Sequence, residues 1–169
     1  DGFRKSRSYY NVNDLTANVT AKVGDKNEWR FFLNGFTEYS ETPGGLSQAQ
    51  WEQDPEQSVN PHDFFEARRF STAISYKRSF DETNSLTTSI YGSYLKRDWW
   101  LDNRNATASK RKFIAALRDI PTVGLFSDYE RTNTLFDKEN KLLAGIRLHT
   151  DVTHEVSVAG DEMGKKAGK

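Results

Sequence analysis

The sequence predicts an all-β protein in which antiparallel, up-and-down strands form part of a transmembrane β-barrel, with long extracellular loops and short periplasmic turns. Three observations lead to this fold class. Apolar and polar residues alternate along several segments, as side chains on the two faces of a strand do. Several of these segments are ten residues or longer, whereas strands in soluble proteins typically have about five or six residues. The connections alternate between short and long, which places the long ones together at one end of the sheet.

The first predicted strand, residues 14–23, reads "DLTANVTAKV" and alternates without exception. Its odd-numbered residues are apolar and its even-numbered residues are polar, so a strand here has one face of each kind. The residues 24–28, "GDKNE", are typical of a tight turn. A second strand is predicted at 29–40, where the alternation is poorer because Phe32 and Phe36 fall on the polar side.

The same pattern recurs four more times along the chain. The further predicted strands are 69–80, 85–99, 122–131 and 141–150. The predicted connections are a long one at 41–68, a tight turn at 81–84, a polar one of about twenty residues at 98–119, and a nine-residue one at 132–140. Residues 152–169 have no sustained periodicity, and we expect a poorly ordered loop or tail there.

Composition excludes several classes of function. Lysine plus arginine and aspartate plus glutamate number 24 each, so overall charge predicts no nucleic-acid partner. The absence of cysteine excludes disulfides, thiolate zinc sites and cysteine nucleophiles. No window of 18 apolar residues predicts a transmembrane helix, and the opening residues indicate that a signal peptide is either absent or already removed. Mean hydropathy of −0.80 suggests a soluble protein, but the polar lumen of a membrane β-barrel gives a similar value.

The sequence offers no catalytic constellation. It contains no nucleophile with a base and an orienting group, no glycine-rich phosphate loop and no HExxH motif. The three histidines, His62, His149 and His154, do not have metal-ligand spacing, because positions five residues apart point to opposite sides of a strand. We therefore expect no enzyme activity, metal or cofactor.

The long segment after the second strand is predicted to be an ordered loop. Ser47 and Gln50 form a capping box that opens a short helix. Pro55 blocks continuation of that helix past Asp54. The pair Pro43–Gly44 suits a type II turn, in which the glycine has a positive φ.

This loop carries a resemblance to a known family. The stretch "ETPGGLSQAQWEQDPEQ" at 41–57, two strands after the opening "DGFR", resembles an extracellular loop of TonB-dependent outer-membrane receptors, especially those for ferric chelates. The later "RDIPTVGLFSDYERTNTLFDKENKLLAGIRLHTD" also looks like a hairpin of that family. The resemblance covers roughly residues 1–151, and it marks these as a portion of the receptor β-barrel with about six strands.

The resemblance implies a function for a larger protein. Such a receptor lies in the outer membrane of a Gram-negative bacterium, surrounded by outer-membrane lipid, and needs no cofactor. It binds a ferric siderophore or similar chelate in its extracellular loops, and the TonB system then acts on an N-terminal plug to admit the ligand. Members have about 22 strands around the plug, whereas six strands and no plug are recognised here. We therefore expect a fragment of the transporter.

Basic and aromatic residues near the long connections are the candidate ligand contacts. Ferric chelates are mostly anionic, and a guanidinium group binds a carboxylate through two hydrogen bonds. The candidates are Arg68, Arg69, Trp99, Trp100, Arg104, Lys110, Arg111 and Lys112, with Arg118 nearby. The alternative is that the run "SKRK" is solvated, or binds lipopolysaccharide phosphates. Lys22, Glu38 and Glu66 are predicted to face the lumen.

Aromatic residues favour the membrane fold but do not settle the function. Those near the long connections are Tyr9, Tyr10, Tyr39, Phe70, Trp99 and Trp100, while Trp29 and Phe80 lie near short turns. Two aromatic girdles would give this distribution, although aromatic residues also favour strands in general. Two alternative functions stay open, a soluble or secreted β-sheet domain that binds carbohydrate or protein, and a passive porin-like barrel.

Overall fold

A computed structural model describes residues 5–60, 62–102 and 113–160. These residues form an all-β protein with one short helix. The elements are β1 (Tyr10–Val23), β2 (Asn27–Glu41), α1 (Gln48–Gln53), β3 (Phe64–Ser79), β4 (Asn84–Asp102), β5 (Phe113–Leu135), β6 (Lys138–Asp151) and β7 (His154–Gly160). Among the described residues, none of the helical structure has the length and apolar character needed to cross a membrane.

The strands form one antiparallel up-and-down sheet, which confirms the predicted fold class. Strands β1 to β6 lie in the order of the chain, and each pairs with the next. Short turns at 24–26, 80–83 and 136–137 lie at one end of this sheet, which we call the turn end. The end of β2 that leads into the connection 42–63 and the end of β4 at Asp102 lie at the other end of the sheet, the loop end. The predicted alternation of short and long connections is therefore confirmed.

The strand β7 is an addition to the predicted layout, because a loop or tail was expected from residue 152. It pairs with β5 in the same register as β6, with Asp119 opposite His154 and Thr122 opposite Asp151. The interruption between β6 and β7 lies opposite Pro121, which has no N–H group for the sheet. The backbone N–H of Val152 still donates to the Pro121 carbonyl at 3.2 Å. Residues 161–169 of the predicted tail lie outside the described residues.

The polar connection predicted at 98–119 is wrong over most of its length. β4 continues to Asp102, and β5 begins at Phe113 and extends through 23 residues. Within this segment Phe113 and Ala115 are buried. Backbone hydrogen bonds carry these strands past the point where the side-chain alternation is clear, because each added residue pair satisfies main-chain groups whatever its side chains are. Only residues 103–112 separate the two strands, and they lie outside the described residues.

The predicted nine-residue connection at 132–140 is also wrong. β5 and β6 are joined by a two-residue turn, in which Phe136 and Asp137 have φ angles of 51° and 58°. Two successive positive φ angles are the requirement of a type I′ hairpin turn, which usually contains Asn-Gly or Asp-Gly. The pair Phe-Asp gives no such signal in the sequence.

The continuous register gives the sheet two contrasting faces. The apolar face is defined by one row of directly opposed residues that crosses six strands: Val19, Phe31, Ile74, Ile90, Leu125 and Leu148. All of these except Leu125 are exposed. The polar face is formed by the residues that alternate along each strand with those of the apolar face. A neighbouring row of this face reads Thr16, Asn34, Ser71, Ser93, Thr122 and Asp151.

The apolar face carries a band without charged residues. On β4 and β5 this band covers residues 86–94 and 121–129, nine on each strand. Nine residues span roughly 30 Å along a strand, and a tilt of about 40° reduces the height to about 23 Å, close to the apolar band of a membrane barrel. Trp29 and Tyr76 pack at its turn end with ring centroids 4.7 Å apart.

Aromatic rings also collect on the apolar face beyond the band, at the loop end. Phe64 stacks on Tyr39 and on Trp100, with ring centroids at 5.7 Å and 6.2 Å. Tyr10 and Trp99 belong to the polar face by their register. The expected aromatic girdle therefore includes only some of the residues that the sequence placed near the long connections.

Candidate functional site

The connection 42–63 at the loop end is ordered around α1, as predicted. Ser47 caps the helix, with the Gln50 N–H donating to Ser47 Oγ at 3.3 Å and the Ser47 N–H donating to Gln50 Oε1 at 2.9 Å. The helix ends at Gln53, and Asp54 before Pro55 has an extended backbone with a ψ of 100°. The capping box and the helix end are both confirmed.

The turn at Pro43–Gly44 closes the loop on itself. Gly44 has the predicted positive φ, at 82°. The Pro43 carbonyl accepts hydrogen bonds from the N–H groups of Val59 and Asn60, at 3.0 Å and 3.2 Å. A Cβ atom on Gly44 would lie 2.8 Å from side-chain atoms of both residues, closer than real Cβ contacts come. The absence of a side chain at Gly44 therefore allows the two limbs of the loop to pack.

The segment before β1 lies against the far limb of the same loop. The Lys5 N–H donates to the Glu56 carbonyl at 2.9 Å, and the Lys5 ammonium lies 2.8 Å from Asp54 Oδ2. The hydrogen bond that the Lys5 ammonium donates to Asp54 raises the pKa of Lys5 above its usual value. Arg7 forms an ion pair with Glu41 at 2.7 Å. These contacts attach residues 5–7 to the segment that follows α1 and to the end of β2.

Asp63 joins the end of the loop to the end of β4. Its side chain is buried, with 2% of the residue exposed. One carboxylate oxygen accepts from Asn60 Nδ2 at 2.7 Å, and the other accepts from the backbone N–H of Asp102. The Thr42 N–H donates to the Asp63 carbonyl at 3.0 Å. Burial raises the pKa of the Asp63 carboxyl above its usual range.

A cluster of three arginines lies on the polar face near the loop end. Arg97 of β4 is directly opposite Arg118 of β5. Arg69 of β3 is a diagonal neighbour of Arg97, because Arg69 pairs with Leu95 two residues before it. Directly opposed side chains in a sheet have Cβ atoms about 5 Å apart, so these like charges repel. We call Arg69, Arg97 and Arg118 the arginine cluster.

The arginine cluster has both neutral and charged partners. Arg69 donates to Asn34 Oδ1 at 3.2 Å, and its guanidinium carbon lies 5.3 Å from the centre of the Phe36 ring. Arg118 forms an ion pair with Glu155 of β7. Nε of Arg97 is buried and has no hydrogen-bond partner within the described part of the chain. Glu38 of β2 lies in the same row of the polar face as Arg97 and Arg118. Carboxylates therefore lie on both sides of the cluster, and its guanidinium groups are the charges that an anion could contact.

Asn34 fixes the position of Arg69 across three strands. Asn34 is a buried polar residue, with 5% exposed. Its Nδ2 donates to Asp14 Oδ1 at 2.5 Å and to Thr16 Oγ1 at 2.9 Å on β1. Because its Oδ1 accepts from Arg69 on β3, the Asn34 side-chain amide makes hydrogen bonds to both neighbouring strands. This network restricts the rotamers of the Arg69 side chain.

A second polar cluster spans β4, β5 and β6 near mid-sheet. The Tyr91 hydroxyl lies 2.8 Å from His149 Nδ1 and accepts hydrogen bonds from Arg147 at 3.1 Å and 3.3 Å. The strand between them has Gly124 at this level, which leaves room for the Tyr91 ring. His149 Nε2 lies 3.4 Å from Asp151 Oδ1.

The predicted ligand residues separate between the two faces. Arg68 and Arg69 lie inside β3, which begins at Phe64, so the predicted end of the long connection at residue 68 is wrong. As neighbours in a strand they point to opposite faces, and Arg68 lies on the apolar face with its ion-pair partner Glu66. Trp99 lies on the polar face and Trp100 on the apolar face.

The same strand register shows on which face of the sheet the other predicted residues lie. Lys22 and Glu38 belong to the polar face, as expected of lumen residues. Glu66 belongs to the apolar face, so its predicted lumen position is wrong, because strand β3 begins earlier than the alternation indicated. Arg104, Lys110, Arg111 and Lys112 lie outside the described residues.

Sequence reasoning missed Arg97 and the second polar cluster, which consists of Tyr91, Arg147, His149 and Asp151. No local motif marks them, since their partners are far away along the chain and meet only through strand register. The spacing of Arg147 and His149, two residues apart, could have placed them on one face. His149 and His154 do lie on opposite faces, opposite Gly124 and Asp119. Within residues 5–60, 62–102 and 113–160, no group of three or more His, Asp or Glu residues could hold a metal ion.

The fold is similar to that of a known transporter. The crystal structure of the ferric citrate transporter FecA in the unliganded form superposes on this chain with a TM-score of 0.84 and 20% sequence identity. The superposition covers 98% of this chain and 24% of that chain. The chain thus spans about a quarter of the length of that protein. No protein-family model matches this sequence, and no curated protein does. The similarity shows the fold, which is that of a segment of a β-barrel.

Proposed function

We propose that this chain is part of a TonB-dependent receptor in the outer membrane of a Gram-negative bacterium. The complete receptor binds a ferric siderophore or similar chelate and imports it, with energy coupled through TonB and a plug elsewhere in the protein. The observation that carries this proposal is the charge-free band on the apolar face, combined with a polar opposite face and long connections at one end. The likeness to a ferric citrate transporter supports it, as does the loop motif at 41–57.

The exposed apolar face argues against the soluble alternative. A soluble sheet domain buries its apolar face against a second layer. Here every residue of the row from Val19 to Leu148 except Leu125 is exposed, and the described residues contain only one sheet. The charge-free height of about 23 Å matches the apolar band of a membrane barrel. These observations support the assignment of residues 1–151 to a portion of a barrel wall, with lipid against the apolar face.

The arginine cluster is the proposed point of contact with an anionic chelate. It lies on the polar face, which is the lumen face of a barrel, and close to the loop end, where a ligand enters. Guanidinium groups bind carboxylates through paired hydrogen bonds. Trp99 lies on the same face, one position beyond Arg97 in that face's alternation. Arg104, Lys110, Arg111 and Lys112 in the adjoining connection are proposed to extend this positive surface.

The first test establishes the extent of the protein. The coding DNA on both sides of this segment is read for an open frame. An upstream plug-like domain and further downstream hairpins of the same alternation support the receptor. A frame with hairpins but no plug supports a passive porin-like barrel, and a frame that encodes only these residues contradicts both transport functions.

The second test measures transport by the complete gene product. Cells limited for iron are given radiolabelled ferric citrate or an uncharged ferric hydroxamate, with and without a proton-motive-force uncoupler. We expect uncoupler-sensitive uptake of the anionic chelate and a preference for it over the uncharged one. Uptake that is insensitive to the uncoupler contradicts TonB coupling.

The arginine cluster is tested in the same assay by single Arg97→Gln and Arg118→Gln variants. Loss of one charge-assisted hydrogen bond weakens an interaction by about 1.5–3 kcal/mol, so we expect affinity for the anionic chelate to fall by about 10- to 150-fold. Arg30→Gln is the matched control, because Arg30 lies on the polar face at the turn end and pairs with Glu28. Equal effects of all three substitutions contradict a local ligand site.

A further inference from the structure

The polar face becomes apolar at the loop end. Up to residue 93 the positions of β4 on this face are serine, threonine and tyrosine. Beyond it they are Leu95, Arg97, Trp99 and Leu101. At the same level the apolar face of β4 carries three charged residues, Lys96, Asp98 and Asp102. Apart from Arg97 and Trp100, the alternation of β4 therefore reverses where the strand leaves the charge-free band.

Neighbouring strands extend these apolar residues into a patch around the arginine cluster. Phe65 of β3 is directly opposite Trp99 of β4. On β5, Ile114 is directly opposite Leu101, and Ile120 is directly opposite Leu95. We call these six residues the loop-end patch: Phe65, Leu95, Trp99, Leu101, Ile114 and Ile120. None of the six is buried, and Trp99 is 42% exposed.

An apolar patch in this position requires a partner. In the proposed barrel, the outside of the wall beyond the membrane meets water, which accounts for the charges on that face of β4. The polar face lines the lumen, where a contiguous group of exposed apolar side chains indicates a binding surface. The row of Arg97 and Arg118 crosses the middle of the patch, so its partner contacts guanidinium groups as well as apolar side chains.

The dimensions of the loop-end patch suit a compact ligand with several rings. Leu95 and Leu101 are six residues apart on β4, which is about 20 Å along a strand. From β3 to β5 the patch is about 10 Å wide. Aromatic rings pack with their centroids about 4.5–7 Å apart, so two or three rings of one ligand fit within the patch.

Charge alone does not select the ligand of this site. Glu38 and Glu155 lie in the same row as Arg97 and Arg118, and Arg118 is paired with Glu155. Arg97 differs, because its Nε is buried and has no hydrogen-bond partner among the residues that the structure describes. A small carboxylate chelate would compete with two glutamates and leave the loop-end patch without contacts. An aromatic ring that carries an oxygen anion contacts Arg97 and the apolar side chains together.

We propose that the loop-end patch and Arg97 bind a ferric chelate whose iron ligands are catecholate groups. The aromatic rings of the chelate pack on Phe65 and Trp99, and a ring oxygen accepts a hydrogen bond from the Arg97 guanidinium. The proposal rests on the receptor function given above and narrows its ligand class. Ferric citrate, which has no ring, is expected to bind less tightly than a catecholate chelate.

The experiment measures equilibrium binding to the complete gene product in detergent. The two probes are ferric citrate and the ferric complex of the linear trimer of dihydroxybenzoylserine, each labelled with radioactive iron. We expect the catecholate complex to bind at least about tenfold more tightly, because each packed ring adds contacts that citrate lacks. The number of binding sites per protein is measured together with the affinity, so that a loss of folded protein is distinguished from weaker binding.

The chain supplies matched controls, because Phe64–Phe65 and Trp99–Trp100 are pairs of identical neighbours that point to opposite faces. Trp99→Ala and Phe65→Ala are each expected to weaken binding of the catecholate complex by about tenfold, with a much smaller effect on ferric citrate. Trp99→Phe keeps a ring and should retain most of the affinity. Trp100→Ala and Phe64→Ala, which alter directly opposed residues of the apolar face, should change neither affinity.

Three results would contradict these expectations, and they have different consequences. Equal losses in Trp99→Ala and Trp100→Ala, or for the two probes, overturn the inference and assign the loop-end patch to packing within the protein. Tighter binding of ferric citrate than of the catecholate complex overturns the ligand class and leaves the receptor function standing. If neither probe binds and cells with the complete gene product take up no ferric chelate, the receptor function and this inference fail together.

Discussion

Tyr91 reaches across a neighbouring strand to place its hydroxyl 2.8 Å from Nδ1 of His149. The residue between them is Gly124, directly opposite both. A Cβ atom at this glycine would lie 2.2 Å from the Tyr91 ring, so the ring occupies the space that a side chain would take. A missing side chain on β5 thus allows β4 and β6 to be linked on the polar face.

Gly124→Ala is therefore expected to destabilise the protein. Overpacking of this kind typically costs about 1–3 kcal/mol, because the Tyr91 ring must leave its place and lose its contact with His149. The measurement is urea unfolding of the complete protein in lipid vesicles. Gly92→Ala in the adjoining strand is the control, since the contact of its Cβ would be an ordinary one at 3.4 Å.

A double-mutant cycle tests the cause of that loss. With Tyr91→Ala in the background, Gly124→Ala no longer meets a ring and should cost little. We expect a coupling energy on the order of 1 kcal/mol or more between the two positions. Additive effects would show that Gly124 is needed for the backbone conformation of β5 and not for the space that the Tyr91 ring occupies.

The hairpin turn at Phe136–Asp137 is predicted to be suboptimal. Both residues have a positive φ, and residues with a side chain pay roughly 1 kcal/mol each for that conformation relative to glycine. Phe136 is 89% exposed, so its side chain has few contacts to lose. We expect Phe136→Asn together with Asp137→Gly to raise the free energy of unfolding by about 1 kcal/mol. Phe136→Leu, which keeps the strain, should leave the free energy of unfolding unchanged, and an equal gain from it would contradict this explanation.

The stability of the loop should depend on pH through the buried carboxyl group of Asp63. Its pKa is raised above 3.8 in the folded protein, mainly by burial, so the folded state binds a proton more tightly than the unfolded chain does. The stabilisation from this proton is complete below about 3.8 and is lost as pH rises through the raised pKa. Asp63→Asn should remove this component, because the amide does not titrate.

Hydrogen exchange of the backbone amides in residues 42–60 measures this effect, after correction for the intrinsic rate at each pH. Protection in the unmodified protein should fall as pH rises from below 3.8 to neutrality, and should stay flat in Asp63→Asn. A protection that rises with pH would mean that hydrogen bonds to the carboxylate outweigh its burial.

The sequence predicted those elements whose side chains and backbone give the same signal. The strict alternation of 14–23 and the Gly-Asp turn after it agree with β1 and its connection. The capping box at Ser47 was recognisable because capping is local, with both partners three residues apart. The alternation of short and long connections followed from the same local signals.

The elements that were missed depend on contacts distant in sequence. The basic run before Phe113 hides the start of β5, which is set by its ladder to β4. β7 forms because it continues the register of β6 past Pro121. Neighbouring arginines at 68 and 69 look like one patch in the sequence, but a strand sends them to opposite faces. Conversely, Arg97 and Arg118 are distant in the sequence, and only the strand register places them directly opposite each other.

The turn at Pro43–Gly44 provides a test of whether an ordered loop matters for ligand capture. Gly44 has a φ of 82°, and a Cβ there would lie 2.8 Å from Asn60 and Val59. Gly44→Ala is thus expected to separate the two limbs of the loop, weakening the hydrogen bonds that the Pro43 carbonyl accepts. The adjacent Gly45 has no atom within 4 Å of its Cβ position and no positive φ, so Gly45→Ala is the matched control.

The measurement is limited trypsin or thermolysin digestion of the complete protein, followed by ferric citrate binding. We expect cleavage within 42–60 to accelerate by roughly tenfold in Gly44→Ala, for a local loss of about 1.4 kcal/mol, and to stay unchanged in Gly45→Ala. If the loop covers bound chelate, the dissociation rate should rise with the cleavage rate. Faster cleavage with unchanged dissociation would mean that this loop is ordered for another reason, and that capture depends on the arginine cluster and the connection 103–112.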